Sequence, residues 1–422
     1  MISNSRTSKI YLFLIFVFGL IIFDGYRLKV GNLLSIKPFL VVSLILVIWV
    51  IRKNIFVPSN FKYFLLWYAS LFIPLICGTV LSWSQFLVIL SGQLILTFFY
   101  ISFYNYFIYF RLKLIDIFDS IVFLGIFVSL IGFIQVFMFF LGVNIGVSHF
   151  EDVGVPRPES FFSETDWHAM FIGYSLLASL LIPTHSRFYK KKDLIVFFLF
   201  CSLVFSFGRT ALVGAIVSFV IFKFCFQSVR ASLNWVFKFI VIGIPLLILF
   251  IILAPESIVD RFNIIGNILD PEMDAGAINS RLFAINMTLD YIYQNPFTGN
   301  GAGSLNFLAY DEHIREVYAY GGGINSGRGG TNIFLTALFD SGVSGLIVML
   351  IFFFVLFKEN WKYIKENNEF FGYFLKFCFL SNIYFLVECQ ANNMIRTPVC
   401  WVNFTMLAYA LFLCRQKKID LG

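Results

Sequence analysis

Long apolar runs recur from one end of this chain to the other, separated by short polar stretches. They fall at roughly 10–23, 33–51, 62–80, 86–109, 117–142, 166–183, 194–207, 210–226, 237–254, 332–357, 371–389 and 398–414. Most are long enough for a helix across a hydrocarbon core of about 30 Å. Backbone groups in lipid must be bonded within their own segment, so helices are the default. A barrel would require polar and apolar residues to alternate along each strand. Stretches such as Phe352–Phe357 are instead apolar at every position. The pattern predicts an all-α polytopic membrane protein with about 12 transmembrane helices and one large external loop. The first nine helices occupy 1–254, the loop 255–331 and the last three helices 332–422. No small-residue cleavage site precedes Asp24-Gly25, so the first run reads as a retained helix and not a signal peptide.

Composition agrees with that class: 59% of residues are hydrophobic, 20% aromatic and only 13% charged, against about 25% charged in soluble domains. Charge then orients the chain. With the N-terminus inside, the internal segments hold 21 of the 31 basic residues, which predicts both termini on the inner side. The net charge of +7 is read as contact with anionic lipid of the inner leaflet. No basic, aromatic-interleaved soluble module is present, so nucleic acid is not an expected partner. The seven cysteines lie in or beside spans, and none forms a C-x-x-C pair of the kind that holds zinc or cycles redox state. They read as packing residues.

Two external segments stand out. The first, about 143–165, carries Arg157 between two prolines, followed by Glu159, Glu164, Asp166 and His168. The second, 255–331, is far longer than a connection needs. Within it Ser280–Asn295 reads as an amphipathic helix, capped by Ser280 and ended by Asn295-Pro296, with Leu282, Phe283, Ile285, Leu289 and Ile292 on one face. Two glycine-rich stretches follow, 299–304 and 321–330, and neither has the Gly-Lys-Ser/Thr of a nucleotide P-loop.

Beyond the second span every external basic residue is arginine: Arg157, Arg209, Arg261, Arg281, Arg315, Arg328 and Arg396. Lysine would serve if solubility alone were needed. Arginine offers a planar fork that grips phosphate bidentately, so the bias suggests an anionic ligand at the outer face. Pairing with loop carboxylates is the competing reading for any one of them. The rigid Pro-Arg-Pro restrains Arg157. Arg209 stands between two spans with almost no loop, a depth at which ionisable groups face a cavity or a partner. Arg281 opens the loop helix and Arg328 sits among glycines that permit close approach of a ligand. These four are the candidate phosphate-binding residues. Glu159 and Glu164 are candidate general bases, with Arg281 a third catalytic candidate. Asp166 and His168 have a purely local alternative, ion pairing at a helix start with Ser163 as cap and Asp166 at the third position. Asp340 and Glu388 lie in or near the ends of spans and are expected to pair with arginine. Metal ligands are not expected: four scattered histidines give no ligand spacing, and no cofactor is implied.

In order along the chain, these pieces resemble the O-antigen polymerase and O-antigen ligase superfamily. Arg157-Pro-Glu-Ser-Phe-Phe-Ser resembles its arginine-containing external segment, and Ser206-Phe-Gly-Arg its Ser-x-x-Arg turn between two spans. Thr331-Asn332, nine residues and then Gly342-Val-Ser-Gly345 resembles the ligases' His-Asn, nine residues, Gly-x-x-Gly pattern. Arg281 with Asn295-Pro-Phe-Thr-Gly-Asn-Gly301 resembles the loop helix and its exit. The resemblance implies a metal-independent glycosyltransferase of the bacterial cytoplasmic membrane. Its partners would be polyprenyl-diphosphate-linked glycan as donor and acceptor, membrane lipid and a chain-length regulator. Thr331 stands where the ligases carry His, which favours polymerase over ligase and leaves the base unassigned. A flippase or transporter is the alternative from another class, although it has no need of a loop as long as 255–331.

Overall fold

The computed structural model describes residues 34–148, 156–228, 277–308, 332–366, 370–391 and 397–421, with short pieces at 19, 22–23, 28–30, 230–231, 233 and 395. In chain order its elements are strands β1 (Leu28–Val30) and β2 (Leu34–Ile36), then helices α1 (Pro38–Ile51), α2 (Phe61–Leu71), α3 (Ile73–Cys77), α4 (Trp83–Phe110) and α5 (Leu114–Phe140). Strands β3 (Val147–Ser148) and β4 (Arg157–Pro158) precede α6 (Thr165–Leu180), α7 (Lys192–Phe205) and α8 (Arg209–Phe226). Then come α9 (Ala277–Gln294), α10 (Ser304–Leu308), α11 (Ile333–Glu366), α12 (Phe370–Glu388) and α13 (Pro398–Leu421). The described residues are mostly helical, with two small antiparallel strand pairs, β1–β2 and β3–β4, that apolar periodicity does not announce.

Among the described residues six helices are long and apolar enough to cross a membrane, and α1 and the α2–α3 pair are shorter apolar helices. The expected spans at 10–23 and 237–254 and most of the 255–331 loop lie largely outside the described residues. The expected span 62–80 is two helices. Pro74 has no N–H to continue the ladder, and Phe72 N–H turns to the Ala69 carbonyl at 3.2 Å. Gly78, left-handed at φ 71°, closes the second piece. Helix α7 begins at Lys192, and α6 and α7 are too short or too polar to count among the six.

The chain divides into two compact units. The first comprises 1–39, 113–269 and 380–384. Its centre is α6, where nearly every residue from Ala169 to Ser179 is buried against α5, α7 and α8. Small residues allow that approach, as in membrane bundles generally. A Cβ on Gly125 of α5 would lie 2.3 Å from the Ser175 side chain, and one on Gly208 would lie 2.3 Å from Ala169. Tyr384 fills the space left by Gly173 and Gly214 and donates its hydroxyl to the Met170 carbonyl at 3.0 Å.

The second unit comprises 40–112, 270–379 and 385–422. Its core is aromatic. Phe64 of α2 meets Tyr100 of α4, Phe352 of α11 and Trp401 and Phe404 of α13, with ring centroids 4.9 to 6.1 Å apart. Two polar pairs are satisfied within this core. Tyr100 donates to Asn60 at 2.6 Å, and the Asn105 amide both accepts from and donates to the backbone of Phe56 at 2.8 Å. Helix α1 shows the membrane pattern in one turn after another: Val42, Leu46 and Val50 are buried while Leu44, Ile45 and Ile48 are exposed.

Candidate functional site

Arg157 is fixed before its side chain does anything. Strand β4 pairs it with Ser148, and the Glu159 N–H donates to the Gly146 carbonyl at 3.0 Å. One turn on, Gln135 of α5 clamps Ser160 from both sides of the peptide: its Oε1 accepts from Ser160 N–H at 2.7 Å and its Nε2 donates to the Ser160 carbonyl at 3.1 Å. The clamp holds a non-glycine residue at φ 55°, a conformation that costs energy unless its surroundings enforce it.

The guanidinium so placed is buried, 7% exposed. One Nη donates to Asp166 Oδ1 at 2.6 Å, and Nε donates to the Ser206 carbonyl at 3.4 Å. The second contact joins two motifs 49 residues apart, since Ser206 opens the Ser-Phe-Gly-Arg turn. In that turn Ser206 Oγ donates to Leu203 and accepts from Gly208 N–H, and Phe207 adopts φ 53°. Gly208 is the N-cap of α8 and Arg209 its first residue, half-buried. The structure therefore brings Arg157 to the turn that carries Arg209.

The contact with Asp166 is the local ion pair that competed with phosphate binding in the sequence, and it is formed here. A phosphate on Arg157 would share or displace this carboxylate. Helix α6 starts at Thr165 with Glu164 as its N-cap residue, one position past the expected Ser163, and Asp166 in its first turn pairs with Arg157. Glu159 and Glu164 are both half-buried in this segment. His168 is fully buried, its ring against Gly132 and edge-on to Phe162, and neither ring nitrogen has a hydrogen-bond partner among the described residues. Sequence reasoning had placed it in a local ion pair.

In the second unit, α9 is the expected loop helix. It ends at Gln294, just before Asn295-Pro296. It starts at Ala277, so Ser280 lies inside the helix and does not cap it. Its buried side chains Met287 and Ile292 pack with Leu305, Leu308 and Phe339, joining it to α10 and the first half of α11. The backbone of Arg281 lies in α9, its side chain lies outside the described residues, and Arg328 lies outside them altogether. Helix α11 is broken at Gly342, φ 66° and ψ −162°. The exit segment of α9 fills the break. Asn300 N–H donates to the Phe339 carbonyl at 2.8 Å, Gly301 N–H to the Asp340 carbonyl at 3.2 Å, and Val343 N–H to the Pro296 carbonyl at 2.9 Å. Groups orphaned by the interrupted ladder are thus satisfied by the loop, as buried backbone groups require. The Asn295–Gly301 exit and the Gly342–Gly345 motif, set apart in the sequence, are two halves of one joint.

Asp340, 5% exposed, lines a small cavity within this unit with Trp67, Gln93 and Thr336. Glu388 is fully buried, and Cys389 and Cys400 are buried and unbridged. Among the described residues no group of three or more His, Cys, Asp or Glu side chains is arranged to hold a metal.

No curated protein matches the chain. The apolar helices mark a membrane protein. Residues 194–366, from α7 to the end of α11, match the family model described as O-antigen ligase, a finding consistent with the O-antigen polymerase and ligase superfamily.

Proposed function

We propose that this chain joins oligosaccharide repeat units carried on polyprenyl diphosphate, building O-antigen or a similar surface polysaccharide on the outer face of a bacterial cytoplasmic membrane. The observation that carries the reading is the match of 194–366 to the O-antigen ligase family, in a chain with Thr331 where the ligases carry His. In the reaction a sugar hydroxyl of the acceptor attacks the anomeric carbon of the donor, and lipid diphosphate leaves. The residues proposed to stabilise that leaving group are Arg157 and Arg209, with Arg281 and Arg328 proposed from sequence alone. Preorganised positive charge aimed at developing negative charge is a large catalytic effect. Support for Arg157 comes from its fixed geometry: a strand pair holds its backbone, the Gln135 clamp holds Ser160 three residues on, and Ser206 holds its Nε. Glu159 and Glu164 are the carboxylates of the same segment.

Attachment of finished polymer is the second reading, favoured by the description of the matched family as O-antigen ligase. A deletion strain separates the two. Loss of a polymerase leaves surface glycan capped at a single repeat unit, which is the outcome expected here. Loss of a ligase strands long polymer on the polyprenyl carrier, and loss of a flippase traps unpolymerised repeats inside. Long polymer on the carrier overturns the polymerase assignment.

A further inference from the structure

In the transfer proposed above, the sugar to be transferred is bonded through its anomeric carbon to a phosphate oxygen. Whatever holds the phosphate must therefore lie beside whatever holds the sugar ring. Arg157 is placed for the phosphate, and the ring needs a surface next to it. One face of a sugar presents C–H groups, which suit an aromatic ring. Its edge presents hydroxyls, which suit a hydrogen-bond donor. Tryptophan carries both a broad apolar ring and an N–H.

Trp167 stands where such a ring is needed. It is the third residue of α6 and follows Asp166, whose carboxylate meets Arg157 at 2.6 Å. Consecutive Cα atoms are about 3.8 Å apart, so Trp167 directly adjoins the residue that a phosphate on Arg157 would meet. Both neighbours of Trp167 are anchored, Asp166 by its ion pair and His168 by full burial against Gly132. The indole is half-buried, and Lys37 Nζ lies 5.2 Å from its ring centroid. A cation over the ring is attracted to its face and holds its plane. The indole N–H makes no hydrogen bond among the described residues. Trp401, by contrast, donates to the Ile395 carbonyl at 2.7 Å, as buried tryptophans usually do. Lys37, Arg157, Asp166 and Trp167 all belong to the first unit.

We propose that Trp167 is the platform for the sugar attached to the lipid diphosphate. The indole stacks on the C–H face of that sugar, and its N–H donates to a sugar hydroxyl. Lys37 stands over the opposite face of the indole and is a positioning residue. The inference rests on the glycosyl-transfer reading above and adds to it a contact with the glycan, where the arginines contact only phosphate.

The test uses the full-length chain in lipid nanodiscs, with lipid-linked repeat units extracted from the deletion strain as substrate. Trp167→Leu is expected to raise the KM for the lipid-linked repeat about tenfold, the worth of one aromatic stacking contact. Its kcat should change much less, because the stack is made equally before and during transfer. Trp167→Phe keeps a ring and should raise KM about threefold. Polyprenyl diphosphate without sugar, added as a competing ligand, should inhibit the variants and the wild type equally. The chain has seven tryptophans, so the difference in emission between wild type and Trp167→Phe isolates this one. That difference should shift when the lipid-linked repeat is added and stay unmoved with the sugar-free diphosphate. An unchanged KM in Trp167→Leu overturns the proposal. So does equal weakening of both ligands, the mark of a tryptophan that only anchors the chain at the membrane interface. If the Leu variant does not fold, the difference emission carries the test, and emission unmoved by the lipid-linked repeat overturns the proposal. Absence of any polymer from the wild-type chain is a different failure. It removes the glycosyl-transfer reading and the platform with it, and is seen before any variant is made.

Discussion

Gly299 lies against the Ser341-Gly342 backbone, and Gly342 lies against the Phe297-Thr298 backbone just before Gly299. A Cβ on Gly299 would stand 2.6 Å from the backbone nitrogens of Ser341 and Gly342, and one on Gly342 would stand 2.2 Å from the Phe297 carbonyl oxygen. Both have positive φ, 76° and 66°. Backbone obstructs each added methyl group, and backbone cannot rotate away as a side chain can. The joint between the α9 exit and α11 therefore admits no side chain at either position.

Gly342→Ala and Gly299→Ala should each destabilise the protein by about 2–4 kcal/mol, combining left-handed strain with a backbone clash. Gly92→Ala is the control. Its Cβ meets nothing within 4 Å in the middle of α4, so the substitution should be neutral or stabilising by up to about 1 kcal/mol. Thermal unfolding of the detergent-solubilised variants reads the difference. Equal melting points for all three would contradict the joint.

Gln135→Ala removes both partners of the Ser160 peptide. Leaving those groups buried and unbonded should cost about 2 kcal/mol. Because Ser160 lies three residues from Arg157, activity should fall more than stability alone accounts for. Polymer yield measured per folded molecule checks this, and an unchanged yield removes the clamp from the functional argument.

Arg157→Lys keeps the charge but loses the Nε contact with Ser206 and the planar fork. Polymer formation should drop nearly as far as in Arg157→Ala, and the same holds for Arg209 and Arg281. Near-normal polymer from the three lysine variants would show that charge alone suffices.

Topology is open to direct measurement. The 21-to-10 split of basic residues predicts that reporter fusions at Arg230 and Gly422 report the inner side and a fusion at Asn279 the outer side. An inner signal at Asn279 would sink the mechanism, which needs α9 outside.

Turnover should persist in chelator. Arginines are proposed for the charge neutralisation that a bound divalent cation often provides in phosphate chemistry. Activity lost in chelator and restored by added magnesium or manganese would count against the arginine reading.

Helical class was legible in the sequence because hydropathy is a sum over neighbours in the chain, and membrane helices close their own hydrogen bonds. The runs at 86–109 and 117–142 became α4 and α5 within a few residues. Asn295-Pro296 was legible as a helix end for the same local reason. Arg157 and Arg209 stood out by residue type alone.

Only the tertiary structure decided who meets whom. That Arg157 reaches Ser206, 49 residues away, depends on how α5, α6 and α7 pack. Gly342 looked like one glycine in a continuous span. Its break exists because the Pro296–Gly301 segment supplies partners for carbonyls that the ladder abandons. The neighbourhood of Gln93 and Asp340, 247 positions apart, had no local signal at all. A hydrogen bond or a shared cavity between distant residues is a property of packing, and packing is where apolar surface and unpaired polar groups are resolved together.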